Sequence, residues 1–261
     1  MRMFKRAVLI GMLSLAAVPA PASAQAAFAG IVDHIHIAAP DPAKAVEWYG
    51  TYFSGEKTPE GPDRVIFGDT RLIVQKREPT PSSGSVLNDI GFSVDDLAAA
   101  MRLFQELGVR IIQPARDLPG LYKSAIVEDP WGTRIEIVQD SQKRGLHHVH
   151  LQAPDPAATL AWFADKFGQP VGKLKGQLDG INYRGVWLLV QRGASTPSAG
   201  HSIDHIGFRP LNVDTAVVGL KAKNVTVVTE PRPLTLPSGT SMRLAFIEGP
   251  DGVRIELVQR Q

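Results

Sequence analysis

The seven histidines of the chain fall into three short clusters. The clusters are His34 and His36; His147, His148 and His150; and His201 and His205. Each cluster lies at or just before the start of a short apolar stretch that is typical of a β-strand. Imidazole is the commonest transition-metal ligand, and side chains from several strand starts can point into one cavity. A metal site is therefore the first hypothesis that the sequence raises.

The elements that would position these histidines repeat along the chain. The segment 32–43 returns at 146–157, an offset of 114 residues. Both copies contain an Asp-Pro pair, beginning at Asp41 and Asp155, which is typical of a helix N-cap followed by a proline in the first turn. Each copy is therefore expected to hold a strand followed by a helix.

A second unit repeats between and after these copies. The strand-like segment 88–92 matches 204–208, and the segment 129–139 matches 250–259. The chain thus contains four modules of roughly 50 residues, named here A, B, A′ and B′ in chain order. Each module has the pattern β-α-β-β-β, which predicts an α+β fold made of four βαβββ modules.

The pairing of these modules decides which residues can meet. Pairing of neighbours needs only short connections and is the default expectation. It gives an N-terminal domain at 25–142 and a C-terminal domain at 143–261, with a boundary near 140–145. The other pairing, A with B′ and A′ with B, stays open.

A metal-binding set follows from the alternation of side chains across strands. Alternation places His148 and His150 on one face of their strand, and His205 and Arg209 on one face of theirs. If the apolar faces pack against the helices, His148, His205 and Glu256 converge in one cavity. Two imidazoles and one carboxylate leave coordination positions open and suit Fe(II), Mn(II), Ni(II) or Zn(II).

The N-terminal half holds a related set, namely His34, Asp89 and Glu136. Aspartate binds metals, so this set is a candidate second site; the alternative is a structural domain that has lost its site. Under the other module pairing, the complete triad becomes His34, His205 and Glu256.

The motifs that carry these residues resemble those of the vicinal-oxygen-chelate superfamily. This superfamily includes glyoxalase I, fosfomycin-resistance thiol transferases, type I extradiol dioxygenases and bleomycin-resistance proteins. The matching features are the opening histidine strand with its Asp-Pro helix start, the strand 204–208, and the Asp-Pro-x-Gly-x-x-Ile-Glu ending. They extend over nearly all of 31–260. The resemblance implies two glyoxalase/dioxygenase-like domains, each with a cupped mixed sheet, and one metal held by first-strand histidines and a last-strand glutamate.

Within the superfamily, the resemblance favours extradiol dioxygenases. Glyoxalase I adds a fourth ligand from the last strand of the first module, where this chain has apolar Ile73 or Leu188 and Leu189. The acid–base histidine of the dioxygenases has no counterpart on the expected strand. His150 or His201 is the candidate substitute, Tyr183 is a candidate proton donor, and Arg209 is a candidate clamp for an anionic substrate group.

The first residues indicate export. Arg2, Lys5 and Arg6 precede an apolar run, and a small-x-small motif ends at Ala24, so 1–24 is predicted to be a signal peptide. The run is shorter than the ~20 residues of a membrane span, so stable membrane insertion is not expected. The mature protein is expected to be periplasmic or secreted.

Composition excludes further classes. The 28 basic and 26 acidic residues become 25 and 26 after removal of the signal peptide, so no basic surface for nucleic acid is expected. Because the chain has no cysteine, a disulfide framework, a cysteine nucleophile and a zinc-thiolate site are excluded. The loop 234–240 is expected to roof the C-terminal cavity.

The leading expectation is an exported metal-dependent enzyme that acts on a small oxygen-chelating substrate, with Fe(II) as the first choice of metal. Lyase, isomerase or thiol-transfer chemistry on Zn, Mn or Ni is the alternative. A metal-free protein that sequesters a small molecule, as bleomycin-resistance proteins do, is the competing class, and an inactive partner in an assembly is a third. A homodimer is left open.

Overall fold

The computed structural model describes residues 28–260. The predicted signal peptide lies outside these residues. The first half contains β1 (Phe28–Ala39), α1 (Pro42–Phe53), β2 (Glu56–Lys57), β3 (Arg64–Phe67), β4 (Thr70–Lys76), β5 (Leu87–Ser93), α2 (Leu97–Glu106), β6 (Arg110–Leu118), β7 (Tyr122–Glu128) and β8 (Arg134–Gln139).

The second half repeats this order. It contains β9 (Gly145–Ala153), α3 (Pro156–Phe167), β10 (Val171–Leu174), β11 (Leu178–Tyr183), β12 (Val186–Arg192), β13 (Ile203–Pro210), α4 (Val213–Ala222), β14 (Val227–Thr235), β15 (Ser241–Glu248), a 3-10 helix (Pro250–Gly252) and β16 (Arg254–Arg260). The four βαβββ modules are confirmed. Over the part of the chain that the structure describes, no helix is long and apolar enough to cross a bilayer.

The four helices start in the same way. Asp41, Asp96, Asp155 and Asn212 are the N-caps, and each side chain accepts a hydrogen bond from a backbone N–H in the first turn. Such caps satisfy amide groups that have no partner within the helix. Helices α1, α2 and α3 carry aromatic residues into the core. For example, Phe53 of α1 stacks on Phe92 of β5, with ring centroids 4.2 Å apart.

The strands form two mixed sheets of eight strands each. One sheet has the order β14-β15-β16-β13-β1-β4-β3-β2, and the other has the order β10-β11-β12-β9-β5-β8-β7-β6. The first sheet therefore joins module A to module B′, and the second joins A′ to B. At each junction the central strands, β1 with β13 and β5 with β9, pair antiparallel.

The default pairing of neighbouring modules is therefore wrong, and the other pairing is the one that forms. The sheets do not follow the halves 25–142 and 143–261. The short connection at 140–144 links β8 to β9 within one sheet. The neighbouring modules that pair are therefore B and A′, and not A and B. The two A-to-B connections cross between the sheets and pair with each other, through isolated bridges from Thr80 to His201 and from Ser85 to Thr196.

Candidate metal centre

Two imidazoles and one carboxylate meet on the polar face of the first sheet. His34, His205 and Glu256, named here the first cluster, lie on the adjacent strands β1, β13 and β16. Glu256 Oε2 is 3.0 Å from His205 Nε2 and 3.3 Å from His34 Nε2. All three side chains are buried. The cluster therefore presents three potential ligand atoms to one point.

A carboxylate orients each imidazole of the first cluster. His34 Nδ1 lies 3.0 Å from Asp33 Oδ1, and His205 Nδ1 lies 2.7 Å from Asp204 Oδ1. Each contact holds the proton on Nδ1 and leaves Nε2 free to bind a cation, as outer carboxylates commonly do for metal-binding histidines. Each of these aspartates directly precedes the histidine it orients, so the sequence already contained this signal.

The charges of the first cluster are arranged for a cation. Burial works against the imidazolium form of His34, but Glu256 and Asp33 outweigh it and raise its pKa to about 9. Burial also works against the carboxylate form of Glu256, but His34 and His205 hold its pKa well below the usual value. Buried His34 Nε2 faces Glu256 Oε2 at 3.3 Å but makes no hydrogen bond of normal geometry within 28–260. The donors therefore fit a divalent metal ion, which would replace the proton on His34.

His36 faces the same cavity, a position that sequence reasoning gave no chemical role. Its ring stacks on His205, with centroids 4.3 Å apart and an interplanar angle of 16°. Its Nδ1 is buried without a hydrogen-bond partner among the described residues. On the neighbouring strand, Ile73 lies opposite His36 and lines the cavity, which places an apolar side chain beside the cluster as the sequence predicted.

The first cluster opens into a cavity of about 410 Å³. Arg64, Arg232, Arg254 and Arg260 are its basic lining residues. Leu234, Leu236, Met242 and Leu244 are among its apolar lining residues. The first two belong to the segment 234–240, which therefore lines the cavity of the first sheet instead of a cavity between modules A′ and B′. The cavity therefore combines cationic groups with an apolar wall.

A second group of donors lies on the polar face of the second sheet. Asp89, Glu136, His148 and His150, named here the second cluster, offer ligand atoms that lie within 4.8 Å of one another. His148 Nε2 is 3.1 Å from Glu136 Oε2, and His150 Nδ1 is 3.4 Å from Asp89 Oδ1. The molecule thus holds two candidate cation sites, one for each sheet.

These positions correct the predicted ligand sets. His148 and His150 lie in the second cluster, so neither meets His205 and Glu256. The candidate second site is also divided, because His34 lies in the first cluster whereas Asp89 and Glu136 lie in the second. Both corrections have one cause: the sheets join A to B′ and A′ to B. The first cluster is the triad that the other module pairing gives.

Three further candidates lie outside the cavity of the first cluster. His201 lies on a crossing connection and contacts the Pro81 carbonyl oxygen through Nδ1 at 2.7 Å. Tyr183 is buried in the core against Phe208, with ring centroids 5.0 Å apart, and burial raises the pKa of its hydroxyl. Arg209 donates to Asp33 Oδ2 through Nε at 2.8 Å, so it supports the carboxylate that orients His34 and does not line the cavity.

Comparison with known proteins identifies the family. The sequence model of the Glyoxalase/Bleomycin resistance protein/Dioxygenase superfamily matches residues 31–137 and 145–257. The chain belongs to this superfamily, and the resemblance seen in its sequence is confirmed. A search of curated protein sequences gives no match.

Solved structures share the two-domain fold. Glyoxalase I from Zea mays is 17% identical, with a TM-score of 0.68; the match covers 88% of this chain and 92% of that one. A putative dioxygenase from Bacillus subtilis subsp. subtilis str. 168 is 14% identical, with a TM-score of 0.57, and the match covers 87% and 84% of the two chains. At these identities the likeness establishes the fold, and the reaction must be argued from the site.

Two glycines let the imidazoles reach their positions, and they provide a first test. A Cβ on Gly207 would overlap the ring of His34, and a Cβ on Gly91 would overlap the ring of His148. Gly207→Ala should therefore weaken metal binding by the first cluster at least tenfold while every donor is kept. Isothermal titration with Zn²⁺ measures the change.

Gly91→Ala is the matched control, because the same steric change then falls on the second sheet. It should leave the affinity of the first cluster unchanged. Equal weakening by both variants would show that the alanine acts through general destabilisation instead of through the adjacent imidazole.

The pH dependence of metal binding provides a second test. With a pKa of about 9, His34 carries a proton at neutral pH that a metal ion must displace. Affinity of the first cluster should therefore increase with pH, by about tenfold per unit below that pKa for competition with one proton. Competition titrations between pH 6.5 and 8.5 check this slope. In His34→Gln the side chain no longer titrates, so an unchanged slope there would contradict the assignment to His34.

Proposed function

We propose that the protein is an exported metal-dependent enzyme that binds a small substrate through two neighbouring oxygens, and that its chemistry is of the extradiol dioxygenase type. The observation that carries this proposal is the convergence of His34, His205 and Glu256 at one end of an accessible cavity. Two imidazoles and one carboxylate with open positions form the ligand set of many non-haem Fe(II) oxygenases. Membership of a superfamily that includes dioxygenases supports an enzyme of this kind.

The first cluster would hold the ion through two Nε2 atoms and one carboxylate. When bound, Fe(II) supplies Lewis acidity for two substrate oxygens and a position for O₂. The side chains around the cluster position its ligands. Asp33 and Asp204 hold the imidazoles in the binding orientation, and Gly207 leaves room for the His34 ring.

His36 is the candidate for proton transfer. His34 and His205 both contact Glu256, whereas the ring of His36 lies over the face of His205. Its unpartnered Nδ1 leaves one ring nitrogen free to take a proton from a substrate hydroxyl. His36 thereby supplies the histidine that the sequence lacked at the expected strand.

The cavity walls indicate what kind of substrate fits. Arg232 is exposed and makes no ion pair within the described range, so its guanidinium is free to bind an anionic group. Leu234, Leu236 and Met242 offer apolar contact and exclude water from the adjacent part of the substrate. A catechol that carries a carboxylate matches both features.

A second candidate function rests on His36 as a fourth ligand. One of its nitrogens lies within 4.8 Å of the other three donor atoms. A four-donor site would favour Zn, Mn or Ni, and with it the isomerase, lyase or thiol-transfer alternatives. Metal-free sequestration is disfavoured, since the triad is complete and its aspartate supports are in place.

Export is part of the proposal and rests on the sequence of 1–24 alone. N-terminal sequencing of the protein isolated from its native cells tests it. A mature chain that begins at Gln25 supports export, and an intact Met1 or an uncleaved segment contradicts it.

The dioxygenase proposal is tested by reconstitution without oxygen. Protein loaded separately with Fe(II), Mn(II), Zn(II) or Ni(II) is mixed with carboxylated catechols, and ring cleavage is followed by absorbance after O₂ is admitted. Activity is expected with Fe(II), and His205→Ala should lower kcat/KM at least 100-fold. His201→Ala, on a crossing connection outside both clusters, is the matched control and should retain activity. No cleavage of any catechol by the Fe(II) protein would refute the dioxygenase assignment.

His36→Gln separates the two candidate functions. If His36 transfers a proton, the variant should retain its metal while kcat falls by about 10²–10⁴, the usual contribution of general acid–base catalysis. Metal content by elemental analysis and single-turnover kinetics measure the two effects. Loss of metal together with activity would instead place His36 in the ligand set.

A further inference from the structure

The second cluster has the spacing of a four-coordinate metal site. Ligand atoms bound at about 2.0–2.1 Å to a tetrahedral zinc ion lie roughly 3.3 Å apart. Here His148 Nε2 is 3.1 Å from Glu136 Oε2, and His150 Nδ1 is 3.4 Å from Asp89 Oδ1 and 3.6 Å from Glu136 Oε2. A further separation, from His148 Nε2 to Asp89 Oδ1, is 4.0 Å, and all four ligand atoms lie within 4.8 Å of one another. One small ion can therefore contact all four donors with little movement.

The outward atoms of these donors are held by neighbours. Asn88 Nδ2 donates to Asp89 Oδ2 at 2.7 Å, and His147 Nδ1 lies 2.9 Å from His148 Nδ1. The other carboxylate is held in the same way, because the Ser124 hydroxyl donates to Glu136 Oε1.

The inward atoms are different. Buried His148 Nε2 and Asp89 Oδ1 face Glu136 and His150 at 3.1 and 3.4 Å, but neither makes a hydrogen bond of normal geometry in the part of the chain that the structure describes. Buried polar atoms are rarely left unpaired, because desolvation without a partner is costly. These two atoms point toward the centre of the cluster, and a cation there would satisfy both.

The residue that orients each ligand differs between the two clusters in step with the ligand itself. Where the first cluster has His205 held by Asp204, the second has Asp89 held by Asn88. An imidazole ligand needs an acceptor on its outer nitrogen, whereas a carboxylate ligand needs a donor on its outer oxygen. The pair Asn88 and Asp89 meets this requirement, so the second cluster is a coherent donor set.

Charge also points to a divalent ion. Asp89 Oδ1 and Glu136 Oε2 both lie within 3.6 Å of His150 Nδ1, so two buried carboxylates face one point. Buried like charges are costly unless a cation compensates them. Two carboxylates and two neutral imidazoles balance a charge of +2.

Apolar side chains pack beside the second cluster, whose most exposed member, the His150 side chain, is 18% accessible. Tyr122, Val138, Leu174 and Leu189 are buried and pack against one another, with Leu118 and Trp187 alongside. Leu189 lies opposite His150 in register, as Ile73 lies opposite His36 beside the open cavity. A substrate would have to displace this packing, whereas an ion coordinated by four protein donors needs no open position.

We propose that the second cluster binds one divalent metal ion, zinc by its donor set and spacing, as a closed structural site. Asp89 and Glu136 come from module B, and His148 and His150 come from module A′. The ion therefore links the two halves of the chain within one sheet. This role is independent of the reaction proposed for the first cluster.

The test uses the full chain with the first cluster disabled by Glu256→Gln. Metal-stripped protein is titrated with Zn²⁺, and bound zinc is measured by elemental analysis after gel filtration, together with Tm. One zinc per chain and an increase in Tm are expected. Adding Glu136→Gln to this background should lower zinc affinity at least 100-fold and abolish the Tm increase. Zinc that stays bound in the double variant, or no zinc in Glu256→Gln alone, would overturn the proposal.

Two further readouts do not depend on the stability of the stripped protein. Co²⁺ in the Glu256→Gln background should give the intense visible absorption of a four-coordinate ion, and the weak spectrum of a six-coordinate ion would contradict the assignment. Release of zinc to a chelator should be slow, and Leu189→Ala should accelerate it by opening the entrance. Ile73→Ala is the matched control beside the first cluster; equal acceleration by both variants would contradict closure by the apolar cluster.

Discussion

The antiparallel pairing of β1 with β13, and of β5 with β9, is the constraint on which both metal clusters depend. This register places Gly207 opposite His34 and Gly91 opposite His148. Because neither glycine has a Cβ, each imidazole can lie across the backbone of the neighbouring strand. The parallel neighbours β16 and β8 then add their glutamates on the same face. A shift of one residue in any one of these strands would turn the ligands of that strand toward the core.

One scaffold gives two sites of different character because a few side chains differ at equivalent positions. His205 is replaced by Asp89, which exchanges an imidazole for a second carboxylate. At the rim, Met242 pairs with Arg260 in the open cavity, whereas Tyr122 belongs to the apolar cluster over the second site. Arg64 and Arg232 keep the first cavity polar at its edge. Access, more than ligand number, therefore separates the proposed catalytic site from the proposed structural site.

The sequence predicts the parts of this molecule better than their assembly. Module boundaries, helix caps and the faces of β1, β13 and β16 follow from local patterns, since alternation and capping depend on neighbours in the chain. Module pairing does not, because A and A′ carry the same local signals and either can pair with B′. Contacts that accompany the observed pairing, such as the bridge from Thr80 to His201 between the crossing connections, have no periodic signal in the sequence.

The misassigned candidates show the same limit at the level of single residues. The Tyr183 hydroxyl is a candidate proton donor by residue type, but its strand places the side chain on the core face against Phe208. Alternation predicts Arg209 on the ligand face, yet two guanidinium nitrogens of Arg209 donate to Asp33. The pairing of β1 with β13 has a register irregularity beside Asp33. Alternation gives the direction of a side chain only while the strand stays regular.

The pairing of module A with module B′ also makes metal binding by the first cluster depend on completion of the fold. His34 lies in the first strand of the described chain, and Glu256 lies in the last. The first cluster therefore cannot assemble until β16 has joined the sheet, so a long loop must close before any ligand set exists. Because no partial chain holds the three donors, an ion bound there contributes its binding free energy to the complete fold. For a protein exported as proposed, the metal must then be acquired where the chain finally folds, and the supply of ions in that compartment decides which metal the first cluster holds.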